Sequence, residues 1–208
     1  MKFSFTKSIA VLAAVSAFGS ALAGPFTPGN LVIARVGDGG APMASGIGQP
    51  IFLDEYTTLG VLVQSVPMPT SVSGNQLRFV GVGTSTAFLF LGRSPNGQYI
   101  SGIAYDGEVG ASIQTTASTD VKRTVAIVGA NGVADTSTGL DAFTGNVPRS
   151  AVTTNGTDIW AVGTGGTTAP RGVVYTTIGS SSATQLSTDV TNVRGVQIVD
   201  GQLYISSQ

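Results

Sequence analysis

Three arginines stand ahead of an Asn-Gly or Asp-Gly pair that leads into an apolar run. They occur in Arg93-Ser94-Pro95-Asn96-Gly97-Gln98-Tyr99-Ile100, in Arg149-Ser150 before Asn155-Gly156-Thr157-Asp158-Ile159-Trp160, and in Arg194-Gly195 before Asp200-Gly201-Gln202-Leu203-Tyr204-Ile205. A guanidinium presents a planar fork of donors that matches carboxylate and phosphate oxygens. Arg93, Arg149 and Arg194 are therefore candidate binding residues. Set at a similar point of each unit, they would form a ring at a channel mouth and take an anionic ligand. The commoner use of such residues is structural, as strand-edge charges or ion pairs between sheets.

Acid–base chemistry has less support. Asp54-Glu55 is the one adjacent acidic pair. On a strand its side chains point to opposite faces, so the two cannot share a substrate. A glycosidase needs two carboxylates roughly 5–10 Å apart, and Glu55, Glu108 and the aspartates are the pool from which such a pair would come. The chain contains 0 His and 0 Cys. Ser-His-Asp and Cys-His catalysis, imidazole-based zinc or haem sites, thiolate nucleophiles and iron–sulfur ligation are thus excluded within these residues. Asp135-Thr136-Ser137-Thr138-Gly139-Leu140-Asp141 lacks the spacing and terminal Glu of a calcium loop and reads as a polar turn. Gly81-Val82-Gly83 and Gly163-Thr164-Gly165-Gly166 precede no Lys and no helix, so they are not phosphate loops. Asn155-Gly156-Thr157 matches a glycosylation sequon, but Asn-Gly at that place reads as a turn. Trp160 with Tyr175 and Tyr204 would make a sugar-stacking platform if exposed; packing in the core is the expected role of the indole. No catalytic residue, metal ligand or cofactor site is assigned, and no cofactor is implied.

The elements that position these residues begin after residue 23. Lys2 and Lys7, the apolar stretch Ile9 to Phe18 and Ala21-Leu22-Ala23 before Gly24-Pro25 make a secretory signal peptide over residues 1–23, cleaved after Ala23. Its apolar core of about ten residues is half of the roughly 20 that a bilayer needs, and no later segment is apolar for long enough to cross as a helix. The expected location is the periplasm or the exterior. Net charge is −1, and loss of Lys2 and Lys7 leaves the mature chain more acidic. That excludes a non-specific nucleic-acid binder, which needs a dense basic patch. Charged residues are 10% against apolar residues at 42%, so a core can be buried without disorder. With no disulfides, stability has to come from sheet pairing and packing.

Residues 24–208 read as short strands and turns. Strands are expected at 31–36, 51–56 and 61–66, at 77–80 and 87–91, at 99–105 and 122–128, and at 150–154, 158–162, 172–178, 195–199 and 202–206. Asn-Gly and Asp-Gly suit the positive φ of two-residue hairpin turns. Their glycines recur at about 45 to 60 residues, a period that suits propeller blades. The expected fold is all-β, with antiparallel β-propeller blades, about three to four of them visible, in an incomplete ring. Each hairpin would form the middle of a four-stranded blade.

Phe26-Thr27-Pro28-Gly29-Asn30-Leu31-Val32, Pro50 to Tyr56, Arg93 to Asp106, Gly139-Leu140-Asp141-Ala142-Phe143 with Arg149-Ser150, and Arg194 to Ser206 resemble a group of uncharacterised secreted bacterial β-propeller-like proteins. The resemblance covers most of the mature chain. It implies a propeller-like domain over residues 24–208, truncated at the C-terminus relative to longer members, and it transfers no catalytic residue. The functional expectation is an exported, non-catalytic module that binds a glycan or an envelope component. The alternatives are an extracellular hydrolase or lyase whose acidic residues lie partly beyond Gln208, and a structural surface protein.

Overall fold

The computed structural model describes residues 24–40 and 42–208. The signal-peptide segment 1–23 lies outside the described residues. Among the described residues all regular structure is β. In chain order the strands are β1 (Leu31–Val36), β2 (Gly48–Gln49), β3 (Ile51–Tyr56), β4 (Leu62–Pro67), β5 (Gly81–Val82), β6 (Phe90–Arg93), β7 (Tyr99–Tyr105) and β8 (Arg123–Gly129). They continue with β9 (Ala134–Leu140), β10 (Pro148–Thr153), β11 (Asp158–Gly163), β12 (Gly172–Thr177), β13 (Thr184–Gln185), β14 (Val193–Val199) and β15 (Gln202–Ser207). Among the described residues no helix is long and apolar enough to cross a membrane.

A three-stranded antiparallel sheet has the order β1-β3-β4. Beyond it lies an eight-stranded sheet, β13-β12-β11-β10-β6-β7-β8-β9. This sheet consists of two antiparallel runs, β6 to β9 and β10 to β13, each strand pairing with the next in the chain. Strand pairing joins the two runs through β6 and β10, which run parallel, Phe90 with Ser150 and Leu91 with Ala151. The hairpin β14–β15 forms a separate sheet, and β2 pairs with β5.

Period-2 alternation stacks these pieces. One buried cluster joins Ile51, Leu53 and Val66 of the first sheet to Ala104, Ala126 and Val128. A second joins Ile103, Val125 and Ile127 to Ala151, Ile159, Ala161 and Val174. A third joins Val152, Val162 and Val173 to Val193, Val196 and Ile198 of the last hairpin. In β8, successive residues therefore serve two different interfaces, which is why the strand reads as a continuous apolar run.

The three motif hairpins β6–β7, β10–β11 and β14–β15 are observed, but they open their runs. Each of the first two is followed by two more strands, so the motif supplies the first and second strands and not the middle pair. Only the last has a two-residue turn: Asp200 and Gly201 have φ of 50° and 76°, and Val199 pairs with Gln202. In the first, Gly97 has φ of 71°, while Asn96 Oδ1 accepts from Ser94 Oγ at 2.7 Å and Gln98 N at 3.1 Å. In the second, Asn155 Oδ1 accepts from the N–H groups of Thr157 and Asp158, both at 2.8 Å. There the asparagine closes a longer loop with its side chain instead of adopting a left-handed backbone.

Two more expectations are corrected. The run 77–80 forms no strand and contributes only the bridge from Val80 to Tyr105. The polar stretch from Asp135, read as a turn, is most of β9. Threonines are good strand residues on a half-buried surface, and their hydroxyls find partners. Thr136 Oγ1 donates to Leu77 O at 2.9 Å, and Thr138 Oγ1 accepts from Gly179 N at 2.8 Å.

Candidate functional site

Arg93 closes β6 and is exposed. Its guanidinium lies over the following turn, where a Cβ on Gly97 would stand 2.5 Å from Nη2. Beside it is a cleft of about 670 Å³ between residues 26–32, the β6–β7 hairpin, the end of β8 and Gln197 of β14. Phe26, Pro28 and Tyr99 give it apolar and aromatic walls, and Asn30, Asn96, Gln98 and Gln197 give it amides. Arg93 is the one charged residue among those lining it. Among the described residues its guanidinium makes no ion pair; the three pairs present are Arg35–Asp54, Arg78–Asp106 and Arg78–Glu108.

One wall of this cleft is held by a buried carboxylate. Glu55 is fully buried. Its Oε1 accepts from Thr27 N at 2.8 Å and Asn30 Nδ2 at 2.6 Å, and its Oε2 from Gln64 Nε2 at 2.7 Å. Burial alone would raise the carboxyl pKa, but these donors outweigh it and hold the group below its ordinary value. The adjacent Asp54 faces the other side of the sheet, as expected for strand neighbours. It binds Arg35 Nε at 2.6 Å and Nη2 at 3.2 Å, and Ser65 Oγ at 2.5 Å. Burial opposes its ionisation, and the Arg35 and Ser65 bonds prevail, so its pKa also lies below the usual value.

The other two candidate arginines stand elsewhere. Arg149 is the second residue of β10, 6% exposed, and Arg194 is the second residue of β14. Arg149 Nη1 donates to Asn192 Oδ1 at 2.5 Å and to Val193 O at 3.1 Å, fastening the start of β14 to β10. Its Nε is buried without a partner. Burial, and then repulsion from Arg194, lowers its pKa. Arg194 Nη2 donates to Gln208 Oε1. The structure thus brings Arg149 and Arg194 together at the open ends of their hairpins and leaves Arg93 at a turn end. They do not hold one common position. The reason is in the spacing: Arg93 precedes its turn Asn by three residues, whereas Arg149 and Arg194 precede theirs by six.

A fourth arginine, outside the recurring motif, is the most deeply buried. Arg123 is 0% exposed. Its Nη2 donates to the carbonyls of Thr116 (2.9 Å), Phe143 (3.2 Å) and Asn146 (3.4 Å), and Nη1 donates to Val121 O. The guanidinium carbon sits 4.7 Å from the Tyr105 ring centre. Burial lowers the arginine pKa and raises that of the tyrosine.

The aromatic candidates are also divided. Trp160 pairs across strands with Tyr175, ring centres 5.5 Å apart. Tyr175 Oη donates to Asp158 Oδ1 at 2.6 Å. Trp160 is half-buried against the third cluster, whereas Tyr204 stands apart on β15 opposite Gln197. No carboxylate lines the Arg93 cleft. Asp106 and Glu108 share Arg78 at 3.3 and 3.5 Å. Among the described residues no cluster of acidic side chains could hold a metal ion. In the comparisons with known proteins, no family model, no curated protein and no solved structure matches the chain.

Proposed function

We propose that the chain is an exported, non-catalytic binding module of propeller type and that its ligand is an acidic glycan held in the Arg93 cleft. The single observation that carries this reading is the composition of the cleft. One guanidinium without an ionic partner faces a space walled by amides and two aromatic rings. A carboxylated sugar offers the matching features: an anion for Arg93, hydroxyls for the amides and an apolar ring face for Tyr99 or Phe26. Export is inferred from residues 1–23. The reading of the antiparallel runs and the last hairpin as consecutive blades is supported by the parallel contact between the first strands of the two runs and by the packing of each piece on the next.

The test is calorimetric titration of the mature chain with uronic-acid oligosaccharides and with their neutral counterparts. Selective binding of the acidic series is expected, weakened by at least about tenfold in Arg93→Ala and reduced by salt. Equal affinity of Arg93→Ala and the native protein would falsify the assignment of the cleft. An N-terminus other than Gly24 on the exported protein would count against cleavage after Ala23.

A further inference from the structure

Residues 24–30 belong to no strand, yet part of this segment lines the Arg93 cleft. Its attachment begins with a local turn. Thr27-Pro28-Gly29-Asn30 is closed by the Asn30 N–H on Thr27 O at 3.1 Å. Pro28 holds the second position, where its fixed φ fits, and Gly29 the third, with φ of 93°. The turn brings its two ends to one oxygen: Thr27 N–H and Asn30 Nδ2 both donate to Glu55 Oε1. Glu55 Oε2 accepts from Gln64 Nε2, and Gln64 lies opposite Glu55 in the ladder. Gln64 in turn grips Gly24, with Oε1 accepting from Gly24 N at 3.1 Å and Nε2 donating to Gly24 O at 3.2 Å. Phe26 is fastened separately, by its N–H to Ala130 O at 2.9 Å and by packing on the first cluster.

This attachment depends on the charge of Glu55. An ionised carboxylate accepts on both oxygens, whereas a protonated one turns one oxygen into a donor. The groups that meet Glu55 are all N–H donors, so a proton sets donor against donor at one of them. The surroundings offer it no other ionic partner from the neighbouring strands: apolar Val32 stands opposite on β1 and neutral Gln64 on β4. Arg35 and Asp54 pair on the other face of the sheet. With cleavage after Ala23, the α-amino group of Gly24 adds a positive charge beside Gln64, and it stays charged throughout the acid range. Ionisation of Glu55 and docking of the turn therefore favour each other.

We propose that Glu55 is a positioning residue for the Arg93 cleft: as a carboxylate it latches residues 24–30 onto the first sheet, and its protonation releases that wall. The role in ligand binding rests on the reading of the cleft as the acidic-glycan site; the latch itself rests on the hydrogen bonds alone. Its pH sense follows from the depressed pKa of Glu55 in the folded state. The latch is complete near neutral pH. It opens as pH falls through the folded value, which lies below the unfolded value of about 4.3.

The experiment measures amide protection factors in the mature chain without ligand, from neutral pH into acid, for the native protein, Glu55→Gln and Asn30→Ala. Near neutral pH, protection at Thr27 should fall by at least about tenfold in Glu55→Gln. Gly37 and Met68, whose N–H groups donate to Pro50 O and Ile51 O at 2.8 and 2.9 Å, should stay protected and report an intact sheet. In the native protein, Thr27 should lose protection in an acid step that those two amides do not share. Asn30→Ala removes one donor from the ionised form, so the step should move to higher pH; a turn with only a structural role would weaken without moving it. Thr27 protection indifferent to Glu55→Gln overturns the latch. So does an acid step in Asn30→Ala at the native pH, which decides the matter even if Glu55→Gln fails to fold. Uronic-acid oligosaccharides titrated near neutral pH should bind Glu55→Gln at least about tenfold more weakly than the native protein, and equal affinity overturns the positioning role. Absence of binding by the native protein would refute the acidic-glycan reading instead, with the protection factors still deciding the latch.

Discussion

Arg123 and Arg93 carry the same group in opposite settings. Arg123 is enclosed by four backbone carbonyls and the Tyr105 ring, which occupy both terminal nitrogens and leave only its buried Nε without a partner. Arg93 stands at the edge of a cleft with no ionic partner among the described residues. A buried guanidinium persists only where the protein supplies acceptors for it, so full enclosure marks a structural role. An exposed one has water as its partner and can exchange that water for a ligand. Arg149 falls between the two, buried but bonded through one nitrogen and repelled by Arg194.

The largest effect is expected at the enclosed site. Arg123→Met keeps much of the volume but leaves carbonyls in the core without a donor, which should cost about 3 kcal/mol or more in chemical denaturation. A loss below about 1 kcal/mol would mean that the carbonyls find other partners, and the contrast with Arg93 would lose its basis. Arg149→Met should cost less, about 1–3 kcal/mol. It strands the Asn192 and Val193 acceptors but also relieves the burial and repulsion that disfavour the charge. A loss equal to that of Arg123→Met would place Arg149 among the enclosed arginines.

The carboxylates allow the same comparison through pH. Glu55 has a depressed pKa in the folded state. Its stabilisation is therefore complete above the unfolded value of about 4.3 and lost as pH falls through the lower folded value. Asp54 contributes in the same sense, its stabilisation being lost as pH falls below its unfolded value of about 3.9 and through the lower folded one. Glu55→Gln should flatten part of the acid limb of a stability-versus-pH curve, and an unchanged limb would show that the three donors do not discriminate the ionised form. The smallest effect on stability belongs to Arg93→Ala, within about 0.5 kcal/mol, although this variant should show the largest loss of ligand affinity. A clear drop in melting temperature would assign Arg93 to the scaffold.

Much of the strand layout was legible from local pattern. The runs 31–36, 51–56 and 99–105 form β1, β3 and β7 with the same boundaries, because alternation and flanking turn residues act over a few positions. β9 was not legible, since a Thr/Ser/Asp stretch has the composition of a turn. It becomes a strand because β8 lies beside it and because Leu77 and Gly179 complete the hydrogen bonding of Thr136 and Thr138. The strand expected at 87–91 starts late, at Phe90, because Leu89 has φ of 58°, a left-handed conformation that breaks a ladder. Arg93 was legible as a candidate. The interval to its turn asparagine already separated it from Arg149 and Arg194, although the shared Asn/Asp-Gly motif drew the three together. Nothing local marked Arg123, whose acceptors come from Thr116, Val121, Phe143 and Asn146.

The sequence by itself determined the β class, the positions of the hairpin turns and the absence of imidazole and thiol chemistry. These depend on residue type and on neighbours a few positions away. Tertiary structure alone decided which arginines are enclosed, which wall Glu55 holds and where the cleft opens. Each of those outcomes depends on which atoms exclude water from a group, and many of those atoms lie 20 or more residues away along the chain.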